Sequence, residues 1–133
     1  MDFLNMDRTN IIVFDCETTG VEEQDYITCM ASMETLESGK QIIQQWHSGL
    51  GTPMHSDVAI KFINHLWDLT CNKNYTIISF NGVSFDFKFI AKLLVQHPVA
   101  LERCETLALQ SEDIMLDFTT EHGYFAGMQS FAD

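Results

Sequence analysis

The chain has 133 residues, 46% of them hydrophobic with ten Phe, and a formal net charge of −12 from 7 Lys and Arg against 19 Asp and Glu. Length and apolar content predict a single domain over residues 1–133 with a sizeable core, and exclude a disordered chain. The acidic balance argues against a protein that coats long duplex DNA, since polyphosphate backbones attract basic surfaces. No apolar run approaches the ~20 residues of a membrane span. The N-terminal stretch Met1 to Arg8 lacks a basic start and a long apolar run, so it does not read as a signal peptide. Cys16, Cys29, Cys71 and Cys104 are widely spaced, with no Cys-x-x-Cys pair. That spacing predicts core thiols in a reduced, cytoplasmic protein rather than a disulfide framework or a zinc site.

In chain order, Ile11-Ile12-Val13-Phe14 is a short, β-branched and aromatic run that predicts a buried strand. It continues into Asp15-Cys16-Glu17-Thr18-Thr19-Gly20, with Gly20 placed to turn the chain. Alternation puts Ile11, Val13, Asp15 and Glu17 on one face, and Ile12, Phe14 and Cys16 on the other. An acidic turn, Val21 to Asp25, leads to a second strand over Tyr26 to Met33. Glu37-Ser38-Gly39-Lys40 predicts a hairpin turn, and Gln41 to Trp46 a third strand. After a loop from Gly49 to Pro53, a helix is predicted from Ser56-Asp57. Val58, Phe62, Ile63, Leu66, Trp67 and Leu69 recur along it at helical spacing.

Tyr75 to Phe80 reads as a fourth buried strand, closed by the turn signal Asn81-Gly82. Phe85, Phe89, Ile90, Leu93 and Leu94 then follow a helical period, so Asp86 falls in a helix's first turn. Pro98 ends or restarts a helix, Ala100 to Gln110 looks helical, and Ser111-Glu112-Asp113 resembles an N-cap leading into Ile114 to Phe118. Three strands, a helix, a strand and a helix predict an antiparallel meander joined by a right-handed crossover to a parallel fourth strand. Placing that strand beside the first would bring Asp86 near Asp15 and Glu17.

Two carboxylates projecting together from an apolar strand are costly unless a positive charge sits between them. A hard divalent cation, which takes oxygen ligands, is the simplest answer. The bland alternative is a pair of solvated acids, and for Asp86 a charge favoured by the helix dipole, worth ~0.3–1 kcal/mol. Lys88 and Lys92 share a helix face and read as solvated. Cys16, Trp46 and Trp67 read as core, and Asp113 and Asp117 as structural.

Asp15, Glu17 and Thr18, then Asn81 and Asp86, match the Asp-x-Glu-Thr and Asn-x-x-x-x-Asp motifs of the DEDD (DnaQ-like) 3′–5′ exonucleases. With the stretch from Ile78 to Leu94, Asp113-Ile114-Met115 and Gly123-Tyr124, the chain resembles most the subgroup related to family B DNA polymerase proofreading domains. The resemblance implies an α/β, RNase H-like fold: a mixed sheet of a three-stranded antiparallel meander plus a parallel strand, flanked by helices. It implies Asp15, Glu17 and Asp86 as catalytic, metal-binding carboxylates for two Mg²⁺ or Mn²⁺ ions. It also implies that Thr18, Thr19, Asn81 and Phe85 contact a nucleic-acid 3′ end, most simply that of single-stranded DNA.

That subgroup adds a fourth carboxylate in a C-terminal Tyr-x-x-x-Asp motif. Here Met128 stands four residues after Tyr124 and Gly127 five after His122, so neither fits, and Asp133 is the last residue. The expectation is a domain cut before its last catalytic helix, acting on 3′ ends slowly or not at all and self-associating through an uncovered sheet. The alternative is a nuclease-fold module that binds a nucleic-acid end or a protein partner without cutting.

Overall fold

The computed structural model describes residues 10–49, 51–79 and 85–113. The elements are β1 (Ile11–Thr18), β2 (Ile27–Thr35), β3 (Gln41–Trp46), α1 (Ser56–Lys73), β4 (Thr76–Ser79), α2 (Asp86–Leu93), α3 (Pro98–Gln110) and β5 (Glu112–Asp113). The sheet order is β3-β2-β1-β4-β5. The first three strands form the expected antiparallel meander, and β4 lies parallel to β1 with Ile12 opposite Ile77 and Phe14 opposite Ser79. This is the mixed, RNase H-like sheet that the strand order implied.

The meander turns where the chain carries turn chemistry. Leu36 N–H donates to the Lys40 carbonyl at 2.8 Å, and Gly39 takes a positive φ of 87°, which only glycine adopts without strain. At its far end, α1 closes on Asn74, whose φ of 59° is the left-handed conformation that asparagine tolerates. Two residues later the chain enters β4, so the return from α1 to the sheet is short.

The core lies between the sheet and the helices. Ile12, Phe14 and Cys16 of β1 are buried with Met30 of β2, Phe62, Ile63, Leu66 and Leu69 of α1, and Phe87 and Ile90 of α2. α3 packs against α1 and α2. Aromatic rings tie these layers together: Trp46 lies 5.2 Å from Phe62, Phe62 5.1 Å from Phe14, and Phe14 5.2 Å from Phe87, each edge-to-face. Trp46 and Trp67 are only partly buried and pack on the rim of this core. On the opposite face of the sheet Ile11 and Ile78 are buried, whereas Ile43 on the edge strand β3 is 71% exposed.

Two polar groups buried in β2 have partners. Trp46 Nε1 donates to Ser32 Oγ at 3.0 Å, and His65 Nε2 of α1 meets Glu34 Oε1 at 2.5 Å. Pairing of this kind offsets the desolvation of a buried carboxylate.

The sequence reading differs from the structure in one described segment. Ser111 ends α3 rather than capping a new helix: its hydroxyl donates to the Ala108 carbonyl at 2.9 Å, and its ψ of 149° is extended. Glu112 and Asp113 then pair in parallel with Ile78 and Ser79 as an edge strand. A long-range ladder partner outweighs the local capping tendency of Ser-Glu-Asp. The reading of Ile114 to Phe118 lies outside the described residues.

Phe14 touches both α1 and α2, so Phe14→Ala should destabilise the fold by about 3–5 kcal/mol in urea unfolding, the usual range for a buried phenylalanine. A loss below ~1 kcal/mol would mean that its ring does not join the helices to the sheet.

Candidate functional site at the end of the first strand

The site follows from the alternation of β1. Phe14 and Cys16 point into the core, so Asp15 and Glu17 point out of the other face, and both are exposed. Asp15 lies opposite Ala31 and Glu17 opposite Cys29 in β2. Asp15 borders a shallow depression of about 210 Å³ floored by Val13, Ala31, Met33 and Ile43. Between Glu17 and Thr18 the register with β2 shifts, a bulge that re-aims the chain where the acidic residues end.

Asp86 arrives from another direction. β4 runs parallel to β1, so the end of β4 and the start of α2 lie beside the C-terminal end of β1. Asp86 is the first residue of α2 and only 2% exposed. Its neighbour Phe87 seats the helix on Phe14.

The Cys16 thiol is buried at the same end of β1. Burial pushes its pKa well above the ordinary thiol range, and the negative charges of Asp86, Asp15 and Glu17 push the same way, Asp86 most strongly. Packing around Asp15 raises its own carboxyl pKa, and a hydrogen bond from the Cys16 backbone N–H draws it partly back. A cation beside Asp15 would favour the ionised form that packing disfavours.

Oxygen donors of this kind suit a hard divalent cation. Among the described residues, however, no three His, Cys, Asp or Glu side chains stand as a group that could hold a metal ion. The expected single ligand set of Asp15, Glu17 and Asp86 is therefore not assembled there. Two carboxylates are exposed at the end of β1, and the third is buried at the same strand end.

The loop after β1 is held by its own side chains. Thr18 Oγ1 donates to the Gly20 carbonyl at 2.7 Å, and Thr19 Oγ1 donates to Asp25 Oδ1 at 2.8 Å. Thr19 Oγ1 also accepts from Tyr26 N–H at 3.1 Å, while Asp25 Oδ2 accepts from Glu22 N–H at 2.9 Å. Both threonines, expected against a nucleotide, thus build the loop that would border one. Gly20 is required for space rather than for turning: a Cβ there would stand 2.4 Å from Asp25 Oδ2.

Across from this loop, Phe85 is half-buried, with its ring centroid 4.9 Å from that of Phe89. Val21, Glu22 and Glu23 of the loop and Phe85, Lys88, Phe89 and Lys92 opposite line a groove of about 340 Å³. Lys92 is exposed, as expected, and its ammonium also donates to the Glu23 and Asp25 carbonyl oxygens at 2.5 and 2.8 Å. Asn81 lies outside the described residues, as do Asp117, His122, Tyr124 and Asp133. Asp113 belongs to β5.

Asp25 and Lys92 are the structural anchors that the sequence reading missed. Asp25 had a signal, a Thr-Gly pair followed five residues after Gly20 by an acid able to accept from the turn. Lys92 had none, because its acceptors are main-chain carbonyls 67 and 69 residues away.

Comparison with known proteins agrees with this architecture. The model of the RNase H superfamily matches residues 12–127, and the chain belongs to that superfamily. No curated protein matches the sequence. Among solved structures, the chain is similar to Escherichia coli exonuclease I in complex with a dT13 oligonucleotide, with a TM-score of 0.55 and 13% identity over 83% of this chain and 29% of the other. A zinc-bound E. coli exonuclease I–single-stranded DNA complex gives 0.52 and 13%, over 83% and 29%. An exonuclease I complex with the SSB C-terminus gives 0.52 and 14%, over 86% and 30%. The chain therefore spans about 30% of the length of these neighbours, and at such identities the likeness is one of fold.

The four thiols should differ sharply in reactivity. Cys104 is buried, and burial, helped by the charge of Glu105, pushes its pKa to about 12. At pH 8 its thiolate fraction is on the order of 10⁻⁴. Iodoacetamide under native conditions should label exposed Cys71 first and leave Cys16 and Cys104 unmodified, as read by peptide mass spectrometry. Early labelling of Cys16 would show that the end of β1 is not packed as described.

Proposed function

We propose that this chain is the catalytic fold of a metal-dependent 3′–5′ exonuclease of the DEDD (DnaQ-like) type, acting on single-stranded DNA ends. One observation carries the reading. Asp15 and Glu17, from one motif, project from the C-terminal end of β1, and Asp86, from the other, begins the helix that packs on Phe14 of the same strand. Superfamily membership and the likeness to exonuclease I in complex with oligonucleotides support it.

In this reading Asp15 and Glu17 would hold a divalent cation at the exposed end of β1, and Asp86 would contribute from the start of α2 once the site is loaded. A pair of such ions, when bound, supplies an activated water and stabilises the leaving 3′ oxygen. The chain's own contribution is positional. Asp15 and Glu17 are fixed outward by the inward packing of Phe14 and Cys16. The loop of Thr18 and Thr19 and the half-buried Phe85 would border the terminal nucleotide, and the resemblance adds Asn81, which lies outside the described residues. The subgroup related to family B polymerase proofreading domains remains the best match to the motifs.

A second reading rests on the described residues, among which no three acidic or other ligating side chains stand as a group that could hold a metal ion. It is a module that grips a 3′ end without cutting it.

A single-stranded oligonucleotide labelled at its 5′ end separates the two. The exonuclease reading expects stepwise shortening that retains the label and requires Mg²⁺ or Mn²⁺. Asp15→Asn should slow it on the order of 10²-fold or more, as for other groups that stabilise charge at a reacting centre. Shortening that persists in EDTA, or that removes the 5′ label first, would overturn this reading. Binding without shortening would favour the second.

Metal binding has its own readout in stability. A cation that binds only the folded state at a hundredfold excess over its Kd adds ~2.7 kcal/mol. The melting temperature should therefore rise with Mn²⁺ in the wild type and much less in Asp15→Asn. Equal responses in both proteins would remove Asp15 from the site.

A further inference from the structure

We propose that Lys92 is a positioning residue that straps the loop after β1 to α2 and so sets the width of the groove where a nucleic-acid 3′ end would lie; this rests on the nuclease reading. The strap is specific. The Lys92 ammonium donates to Glu23 O at 2.5 Å and to Asp25 O at 2.8 Å, and stands 4.4 Å from the Phe89 ring centroid. Two of its three donors therefore end on one loop, while its stem belongs to the helix that begins at Asp86.

The loop end of the strap is itself ordered. Asp25 is fixed through its carboxylate by Thr19 and the Glu22 N–H, and Thr19 N–H donates to the Tyr26 carbonyl at 3.0 Å. Gly20 leaves room for that carboxylate. Thr19 is two residues from Glu17 and Lys92 is six from Asp86, so Lys92 spans the two segments that carry the candidate acids. The same residues line the groove of about 340 Å³, and with Lys92 turned to the loop carbonyls, Lys88 is the groove lysine with no loop contact among the described residues. Loosening the strap leaves each acid in place on its own element and changes the fit between the elements. If the binding-competent loop arrangement fell to about one molecule in ten, apparent affinity would fall about tenfold.

The test uses the full chain as wild type, Lys92→Met and Lys92→Arg. Methionine keeps an apolar stem over Phe89 and removes the donors; arginine keeps donors. Amide hydrogen exchange across residues 19–26 reads the loop, and fluorescence anisotropy with a short single-stranded oligodeoxythymidylate reads binding, with Ca²⁺ present as a hard cation that oxygen ligands accept. Lys92→Met should speed exchange in 19–26 and weaken oligonucleotide binding about tenfold, while Lys92→Arg should restore both. Uniformly faster exchange throughout the chain would mark a merely structural role and overturn the proposal. So would unchanged exchange in 19–26, or faster loop exchange with unaltered affinity. Wild type that binds no oligonucleotide would overturn the nuclease reading and the positioning role together. Wild type and Lys92→Met that bind equally would overturn the role of Lys92 alone.

Discussion

The contact between Phe14 and Phe87 is the constraint on which the candidate site depends. Their rings meet edge-to-face at 5.2 Å, and each is bonded in sequence to a residue of the site. Phe14 facing inward forces Asp15 outward, because successive strand side chains alternate. Phe87 facing inward fixes the first turn of α2, and with it Asp86. A buried edge-to-face pair is worth ~0.5–1.5 kcal/mol beyond the area it hides. Its larger consequence is geometric, since two exposed acids of β1 and the buried acid that begins α2 lie at one strand end with this aromatic pair joining the elements.

A second layer of organisation acts through the main chain. The loop from Thr19 to Tyr26 has little apolar surface to bury, and Glu22 and Glu23 are exposed. It is ordered instead by one carboxylate, Asp25, which accepts from Thr19 and Glu22, and by one ammonium, Lys92, which collects two carbonyls. Charge-assisted hydrogen bonds of this type are stronger than neutral ones, although exposure weakens them. The loop is thereby tied to α2 without extending the hydrophobic core.

Most of the fold was legible because its signals are local. The alternation of Ile11 to Glu17, the helical period from Val58 to Leu69, and the turn at Gly39 each decide an element with no distant help. The position of Asp86 at a helix start was legible for the same reason. Its burial was not, because that depends on how α2 docks on β1, as does its effect on Cys16. The strand at Glu112–Asp113 was missed because its partner, Ile78–Ser79, lies more than thirty residues earlier in the chain. Local propensity favoured a cap there, and a non-local ladder overrode it. The strap of Lys92 was invisible for a related reason: any residue supplies a carbonyl, so sequence carries no trace of an acceptor.

The chain's charge of −12 reads differently once the groove is in view. The candidate acids gather at one strand end, where an empty site would repel phosphate. Lys92, the lysine nearest the loop, is spent on main-chain carbonyls rather than offered to a ligand. Lys88, on the same groove, is exposed. Long-range attraction of a polyanion is thus weak by construction, and screening beyond roughly 8–10 Å limits the repulsion from acids elsewhere on the surface. On the nuclease reading, recognition would then be short-ranged. A strand end would be held by ring contacts and one cation in the groove, and by whatever positive charge the acids themselves recruit. On that reading such a surface would favour an end over the body of a long polymer, because only an end could bring its last phosphate against the acids without laying further phosphates across an acidic surface.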